Sequence, residues 1–169
     1  MRKLGSQGPD ISVVGFGAWE AGGDMWGAEV DDRDTTRAIE AGLDAGMNWI
    51  DTAEAYGDGR SERLVGRIAR RRSGVMVFTK VAHFASGSRP HEIRAAIEGS
   101  LQRLGLDAVD LYQVHWPNER KVPVEETWGA MTELRLEGLA RAIGVSNFDR
   151  TLVERCEAIG HVDSVQNQF

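Results

Sequence analysis

The sequence predicts an α/β fold of the (β/α)8 TIM-barrel class, cut short after about the sixth strand, and three observations support this prediction. Short apolar runs alternate with amphipathic stretches every few tens of residues, as in successive βα units. A polar side chain ends strand after predicted strand, and such ends converge at the mouth of a barrel. Side chains two positions apart share a strand face, so the polar residue at the end of each strand could lie above a row of inward-facing side chains on the same strand.

The predicted strands cover residues 12–19, 48–52, 75–80, 109–115, 140–146 and 163–169. The segment before them could form an N-terminal hairpin. The polar side chains at the strand ends are Asp51, Lys80, His115, Ser146, Asn147 and Gln166. The residues expected to face inward beneath them are Trp49, Met76, Phe78, Leu111 and Gln113. These strand ends therefore predict one shared site at the barrel mouth.

Five helices are expected between the strands. The third has an apolar stripe made of Ile93, Ile97, Leu101 and Leu104. Pro90 near its start and Gly105 after its end are typical helix boundaries. For the second helix we expect Ser61 as N-cap, and for the fifth Asp149, with Ile159 on the apolar face.

Composition narrows the functional classes. A chain of 169 residues with 41% hydrophobic residues can bury one core. The formal charge of −6 argues against a nucleic-acid surface. The single cysteine, Cys156, excludes an internal disulfide, and we expect it to pack in the core of a cytoplasmic protein. The apolar stretch 11–19 lacks the features of a signal peptide, and no run approaches a membrane span.

An open, doubly wound sheet is the alternative fold. It would make residues 15–22 a dinucleotide fingerprint, beginning with Gly15 and Gly17. The third glycine of that motif should then fall at position 20, which is Glu20. The spacing therefore favours the barrel.

The chemistry of the strand ends indicates proton transfer. An ammonium near a phenol favours the phenolate, so we expect Lys80 to lower the pKa of Tyr56. Asp51 would orient Lys80, and the His115 imidazole could hydrogen-bond a substrate oxygen that gains charge. The set contains no metal cluster and no activated nucleophile, so a hydride could come from a bound cofactor.

Six motifs along the chain resemble those of the aldo-keto reductase family of NADP-dependent oxidoreductases. They are GFGAW, WIDTAEAYG, VFTK, LYQVHWP, GLARAIGVSNF and VQNQF, in this order. The resemblance implies a catalytic tetrad of Asp51, Tyr56, Lys80 and His115. Tyr56 would be the general acid in the reduction of an aldehyde or ketone.

The resemblance also implies the ligand contacts. The cofactor, NADP with NAD as the alternative, would contact Gly17, Ala18, Asp51, Ser146, Asn147 and Gln166. Ala18 replaces a frequent threonine, which removes one hydroxyl. Trp19 and Trp116 would line the substrate pocket. Small carbonyl compounds are the expected partners, with no nucleic acid and no membrane; the sequence does not specify the substrate or the oligomeric state.

Family barrels have eight strands, so residues 1–169 are expected to form a single, incomplete barrel domain. The loops that bind the adenosine half of the cofactor would lie beyond Phe169. Three alternatives to an active reductase stay open: a cofactor-binding regulatory subunit, an inactive fragment, and an aldolase-like barrel with Lys80 as its Schiff-base lysine.

Overall fold

A computed structural model describes residues 1–5, 8–23, 31–119 and 121–168. The strands are β1 (Arg2–Lys3), β2 (Asp10–Ile11), β3 (Phe16–Gly17), β4 (Trp49–Asp51), β5 (Met76–Val81), β6 (Val109–Val114), β7 (Ala140–Ser146) and β8 (Ser164–Gln166). The α-helices are α1 (Asp32–Asp44), α2 (Arg60–Ala69), α3 (Pro90–Leu104), α4 (Val124–Leu136) and α5 (Arg150–Glu157). A short 3-10 helix, Glu20–Gly22, follows β3.

The main sheet has six parallel strands in the order of the chain, from β3 to β8. A helix lies between each pair of consecutive strands from β4 to β8, so the unit βα repeats as the sequence predicts. The register places Gly17 opposite Asp51, Lys80 opposite Gln113, and Ser146 opposite Gln166. All the polar strand ends therefore lie along one edge of a curled sheet, as in a barrel.

Two apolar layers lie on the two faces of this sheet. The larger layer fills the space between the sheet and the helices and includes Ile39, Ile97, Trp128 and Ile143. The smaller one lies on the concave face and includes Trp49, Met76, Phe78, Leu111 and Ala142. Four of the residues expected to face inward are thus confirmed, and the fifth, Gln113, lines a pocket on the same face together with Phe78 and Leu111.

The N-terminal hairpin is confirmed and packs against the concave face. β1 and β2 pair antiparallel, with Lys3 opposite Asp10. Leu4 and Ile11 contact the concave-face cluster. Burying these side chains takes apolar surface out of water at about 25 cal/mol per Å2, so the hairpin stabilises the inside of the sheet.

The expected boundaries of α3 and α5 are confirmed. Pro90 is the first residue of α3, and Gly105 is its C-cap, with a left-handed φ of 65° that a glycine adopts without strain. Asp149 caps α5, because its carboxylate accepts a hydrogen bond from the Leu152 amide at 2.9 Å.

Other sequence-based expectations need correction. The strand expected over 12–19 is only β3, because the Ser12 hydroxyl bonds the Val14 carbonyl and turns the chain. Gly59, not Ser61, is the N-cap of α2; the Ser61 hydroxyl is buried and donates to the Ala18 carbonyl at 2.7 Å. Ile159 lies beyond α5 and is 42% exposed. Phe169, at the end of the strand expected over 163–169, lies outside the described residues.

The position of the single cysteine and the composition of the helices agree with the sequence analysis. Cys156 is fully buried in the layer between helices and sheet, as expected. Among the described residues, no helix combines the length and the apolar composition needed to cross a bilayer.

Candidate active site

Four expected site residues lie together at the carboxyl edge of the sheet. Asp51 is the last residue of β4, Lys80 lies near the end of β5, and His115 directly follows β6. Tyr56 lies in the loop after β4. Its hydroxyl is 3.5 Å from the Lys80 Nζ, and its ring centroid is 5.7 Å from that of His115.

Two glycines fix the loop that carries Tyr56. Gly57 has a left-handed φ of 60°, and a Cβ built on it would lie 2.1 Å from the carbonyl oxygen of Gly22. A side chain at either position would push the loop away from the 3-10 helix. The Ser61 amide donates to the Tyr56 carbonyl at 3.2 Å, which ties the loop to α2.

Lys80 is buried and has oxygen partners in three directions. The residue as a whole is only 1% exposed. Nζ donates to the Asp51 carboxylate, to the Thr52 carbonyl at 2.9 Å, and toward the Tyr56 hydroxyl. Burial lowers the pKa of Lys80, and the Asp51 charge opposes this effect. Asp51 thus stabilises the ammonium that faces Tyr56.

The pKa of Tyr56 is shifted in the opposite direction to the sequence-based expectation. Burial raises it above the ordinary value, and the Asp51 carboxylate raises it further. We expected the Lys80 ammonium to lower it. The difference arises because burial is the largest effect on this pKa and because the Asp51 charge acts against that of the Lys80 ammonium. Tyr56 therefore remains protonated at neutral pH.

His115 is held by its backbone and is neutral. Its amide donates to the Val81 carbonyl at 2.9 Å, and its carbonyl accepts from the Asn147 Nδ2 at 3.0 Å. Burial first, and then the charges of Lys80 and His83, lower the pKa of His115 to about 4. A neutral imidazole presents one N–H donor and one acceptor nitrogen. Its Nδ1 has no hydrogen-bond partner among the described residues.

The candidate cofactor residues Ser146, Asn147 and Gln166 are neighbours at the carboxyl ends of β7 and β8. Asn147 has a positive φ of 62°; its amide side chain donates to the Ser146 hydroxyl at 3.0 Å, and its backbone donates to the Gln166 carbonyl at 3.1 Å. Asn167 fixes the adjoining turn through two hydrogen bonds with the Phe148 backbone, at 3.2 and 2.8 Å. These hydrogen bonds, with the pairing of Ser146 and Gln166 in the sheet, place the three residues next to one another.

Gly17 and Ala18 lie beside Asp51. Gly17 pairs with Asp51 in the sheet, and a Cβ built on it would meet nothing within 4 Å. The Ala18 side chain is buried, its amide donates to the Asp51 carbonyl, and its carbonyl accepts from Ser61. The structure thus leaves open space at Gly17 and engages Ala18 within the protein; their cofactor contacts stay predictions.

A cavity of about 600 Å3 lies beside Tyr56 and His115, at the same edge of the sheet. Five of its lining residues carry rings: Trp19, Tyr56, Phe84, His115 and Trp116. Ala55, Asn147 and Gln168 complete the lining. The two tryptophans expected in a pocket wall therefore do line one cavity with Tyr56 and His115.

Sequence reasoning missed three residues near the site. Glu54 is buried, and its carboxylate accepts from the Ala82 amide and from the Ser86 hydroxyl, both at 2.8 Å. Phe84 and Gln168 line the cavity. Glu54 precedes Tyr56 by two residues in the same motif, which is the one sequence signal that could have identified it. Phe84 lies in a loop with no such signal.

Residues 13–169 match the model of the Aldo/keto reductase family. The chain belongs to this family. It is 41% identical to aldo-keto reductase YhdN of Bacillus subtilis (strain 168), with 98% of this chain and 52% of the relative covered. It is 32% identical to the NADH-specific methylglyoxal reductase of Escherichia coli (strain K12), over 98% of this chain and 57% of the relative.

Solved aldo-keto reductases have the same fold. A thermostable aldo-keto reductase in complex with the inhibitor epalrestat matches with a TM-score of 0.89 and 35% identity, over 99% of this chain and 62% of the other. An aldo-keto reductase from Klebsiella pneumoniae in complex with NADP and acetate matches with a TM-score of 0.75 and 35% identity, over 89% of this chain and 50% of the other. The chain spans about half the length of the curated relatives it matches.

Proposed function

We propose that this aldo/keto reductase chain carries the active site of an NADP-dependent reductase of aldehydes or ketones, in which Tyr56 is the general acid. One observation carries the proposal: the Tyr56 hydroxyl lies 3.5 Å from the buried Lys80 Nζ and lines the same cavity as His115. A carbonyl oxygen in that cavity would meet a proton donor and a second polar ring.

The polar residues on β7 and β8 fit the nicotinamide end of the cofactor. Ser146, Asn147 and Gln166 offer a hydroxyl and two amides, which can pair with a carboxamide as both donor and acceptor. The buried Gln113, on the neighbouring strand β6, has unpartnered oxygen and nitrogen atoms among the described residues, so this face can accept further polar groups. When bound, the cofactor supplies the hydride. NADP is preferred on the family resemblance, with NAD as the alternative.

Each residue of the tetrad has a separate role in this proposal. As the carbonyl carbon gains hydride, its oxygen becomes an alkoxide and takes the proton from the Tyr56 hydroxyl. The resulting phenolate is stabilised by the Lys80 ammonium. Asp51 keeps that ammonium charged and oriented. The neutral His115 donates a hydrogen bond to the carbonyl oxygen and thereby orients it.

The raised pKa of Tyr56 agrees with this direction of reaction. A general acid must hold its proton until the alkoxide forms, and the half-buried Tyr56 phenol, with its raised pKa, does so at neutral pH. An alkoxide is a stronger base than a phenolate, so proton transfer remains favourable. A lowered pKa is more important for the reverse reaction, in which the phenolate would take a proton from an alcohol.

The alternatives differ in what they require of Lys80 and of the cofactor. A Schiff-base aldolase needs an accessible, neutral amine, whereas Lys80 is buried and donates to Asp51 and Thr52. A regulatory subunit needs cofactor binding without turnover.

The single buried Cys156 agrees with a reducing compartment, and we infer a cytoplasmic location.

The test is to supply the protein with NADPH or NADH and a panel of aldehydes and ketones, and to follow cofactor oxidation by absorbance. We expect turnover that Tyr56→Phe lowers by about 100- to 10,000-fold. The matched control is Tyr112→Phe, because the only other tyrosine is buried and its hydroxyl has no described partner.

Each alternative has its own outcome in this assay. Cofactor binding without turnover would replace our proposal by the regulatory subunit, and substrate trapped on Lys80 by borohydride would replace it by the aldolase. Neither binding nor turnover would identify the chain as an inactive fragment.

A further inference from the structure

A buried ion pair links α2, α3 and β5 next to the loop that carries Tyr56. Glu62, on α2, is fully buried, and its Oε2 accepts from the Arg103 Nε of α3 at 2.5 Å. Its Oε1 accepts from the Thr79 hydroxyl of β5 at 2.6 Å. Because a buried charge is tolerated only when it is paired and hydrogen-bonded, these contacts fix α2 to both neighbouring elements.

The Glu62 carboxylate joins the backbone on the two sides of the proposed proton donor. α2 follows the loop of Tyr56, and the Ser61 amide donates to the Tyr56 carbonyl at 3.2 Å. Thr79 directly precedes Lys80 in β5. The hydrogen bond from the Thr79 hydroxyl to Glu62 therefore ties the segment that carries the phenol to the strand that carries the ammonium.

Arg103 also contacts the Tyr56 loop on both sides of the tyrosine. Its Nη2 lies 3.9 Å from the Oε2 of Glu54, which precedes Tyr56. A Cβ built on Gly59, which follows Tyr56, would lie 2.3 Å from the Arg103 Cδ, so the arginine stem lies directly against this glycine. The Ser100 hydroxyl accepts from Nη2 at 3.2 Å and orients the guanidinium. One planar side chain thereby holds both flanks of the loop.

We propose that Arg103 is a positioning residue that holds the Tyr56 hydroxyl at its distance from the Lys80 Nζ. The proposal rests on the reductase function proposed above and deepens it. That distance is 3.5 Å, at the long end of a hydrogen bond, so a small displacement of the loop would separate the phenol from the ammonium that stabilises the phenolate. Arg103 lies outside the lining of the cavity beside Tyr56, and it acts through Glu62 and through the two flanks of the loop.

The variant Arg103→Lys tests the geometry of the arginine separately from its charge. A lysine ammonium still neutralises Glu62, but it lacks the planar fork that reaches Glu62 and Ser100 together. The matched control is Arg94→Lys on the same helix. The Arg94 side chain is 39% exposed and forms an ion pair with Glu137 at the end of α4.

Nuclear Overhauser effects between aromatic ring protons follow the position of Tyr56 without cofactor or substrate. The Tyr56 and His115 rings meet edge-on, with centroids 5.7 Å apart. The stacked rings of Trp49 and Phe78, with centroids 5.0 Å apart on the concave face, are the internal reference. We expect the ratio of the Tyr56–His115 signal to the reference signal to fall in Arg103→Lys and to stay unchanged in the control.

Single-turnover oxidation of the reduced cofactor with an aldehyde measures the consequence for the chemistry. We expect Arg103→Lys to lower this rate about tenfold or more, since a misplacement of about 1 Å can cost about 100-fold, and to change the cofactor affinity less than about twofold. In the Tyr56→Phe background the same substitution should have little effect, because no phenolic hydroxyl remains to be misplaced. A purely structural role would instead lower the rate by the same factor in both backgrounds.

If Arg103→Lys does not fold, Glu62→Gln serves the same purpose, because its Oε1 still accepts from Thr79 while its amide no longer forms the ion pair with the guanidinium. An unchanged ring signal, or a rate that falls equally with and without the Tyr56 hydroxyl, would overturn the positioning role. A weakened ring signal in a protein that oxidises no cofactor would support the positioning of Tyr56 and overturn only the reductase function.

Discussion

The buried pair of Lys80 and Asp51 should respond strongly to the loss of either charge. Both side chains lie out of water, and Nζ also donates to the Thr52 carbonyl. Replacing Asp51 by leucine leaves an ammonium with only neutral partners. Replacing Lys80 by methionine leaves a buried carboxylate and an unpartnered carbonyl. Each single variant therefore keeps one uncompensated charge.

Breaking a buried pair by removing one partner costs about 3–5 kcal/mol, so each variant should lose that much free energy of unfolding. The double variant Asp51→Leu/Lys80→Met removes both charges and leaves chiefly the Thr52 carbonyl without its partner, at a cost of about 1–3 kcal/mol. The cost of the double variant should therefore lie several kcal/mol below the sum of the single costs.

Urea unfolding of the four proteins, followed by circular dichroism, measures this coupling. The control cycle uses Arg150 and Glu154, an exposed i,i+4 pair with a distance of 2.7 Å, which should couple by less than about 1 kcal/mol. Additive costs at Asp51 and Lys80 would refute the reasoning, since the ammonium would then not depend on the carboxylate.

Three further predictions concern titratable groups. Burial raises the pKa of Cys156 to about 12, so Ellman's reagent should modify this thiol only as fast as the protein unfolds. Burial raises the pKa of Glu54 above its ordinary value, so ionising this carboxyl group costs more in the folded protein than in the unfolded one. The wild type should therefore lose free energy of unfolding, relative to Glu54→Gln, as the pH rises from 4 to 7. The His115 ring should titrate near pH 4 by proton NMR, and a midpoint near 6.5 would contradict its burial.

Periodicity and strand ends were enough to predict the parallel sheet and the residues brought together at its edge. The strand over 140–146 is found with those limits, and β5 differs from its expected range by one residue at each end. The inward face of Phe78 and Leu111 followed from the two-residue repeat of a strand. These features are local, so the sequence contains them.

The features that sequence reasoning missed depend on contacts between distant segments. Ser61 looks like an N-cap, but its hydroxyl bonds the Ala18 carbonyl, 43 positions away. Glu54 and Phe84 acquire their places only when the turn after β5 meets the loop after β4. The Tyr56 pKa was expected to fall because a charge pattern predicts neighbours but not burial, and burial is the larger effect.

The most direct test of the proposed chemistry is a 13C NMR titration of the tyrosine Cζ carbons. The chain has two tyrosines, and the Tyr112→Phe variant assigns the signal of Tyr56. We predict that Tyr56 stays protonated through neutral pH and titrates above the ordinary value of about 10, and that Lys80→Met raises its pKa further. A Tyr56 signal that is already ionised at pH 7, or that is unaffected by Lys80→Met, would contradict a phenol that donates its proton beside a stabilising ammonium.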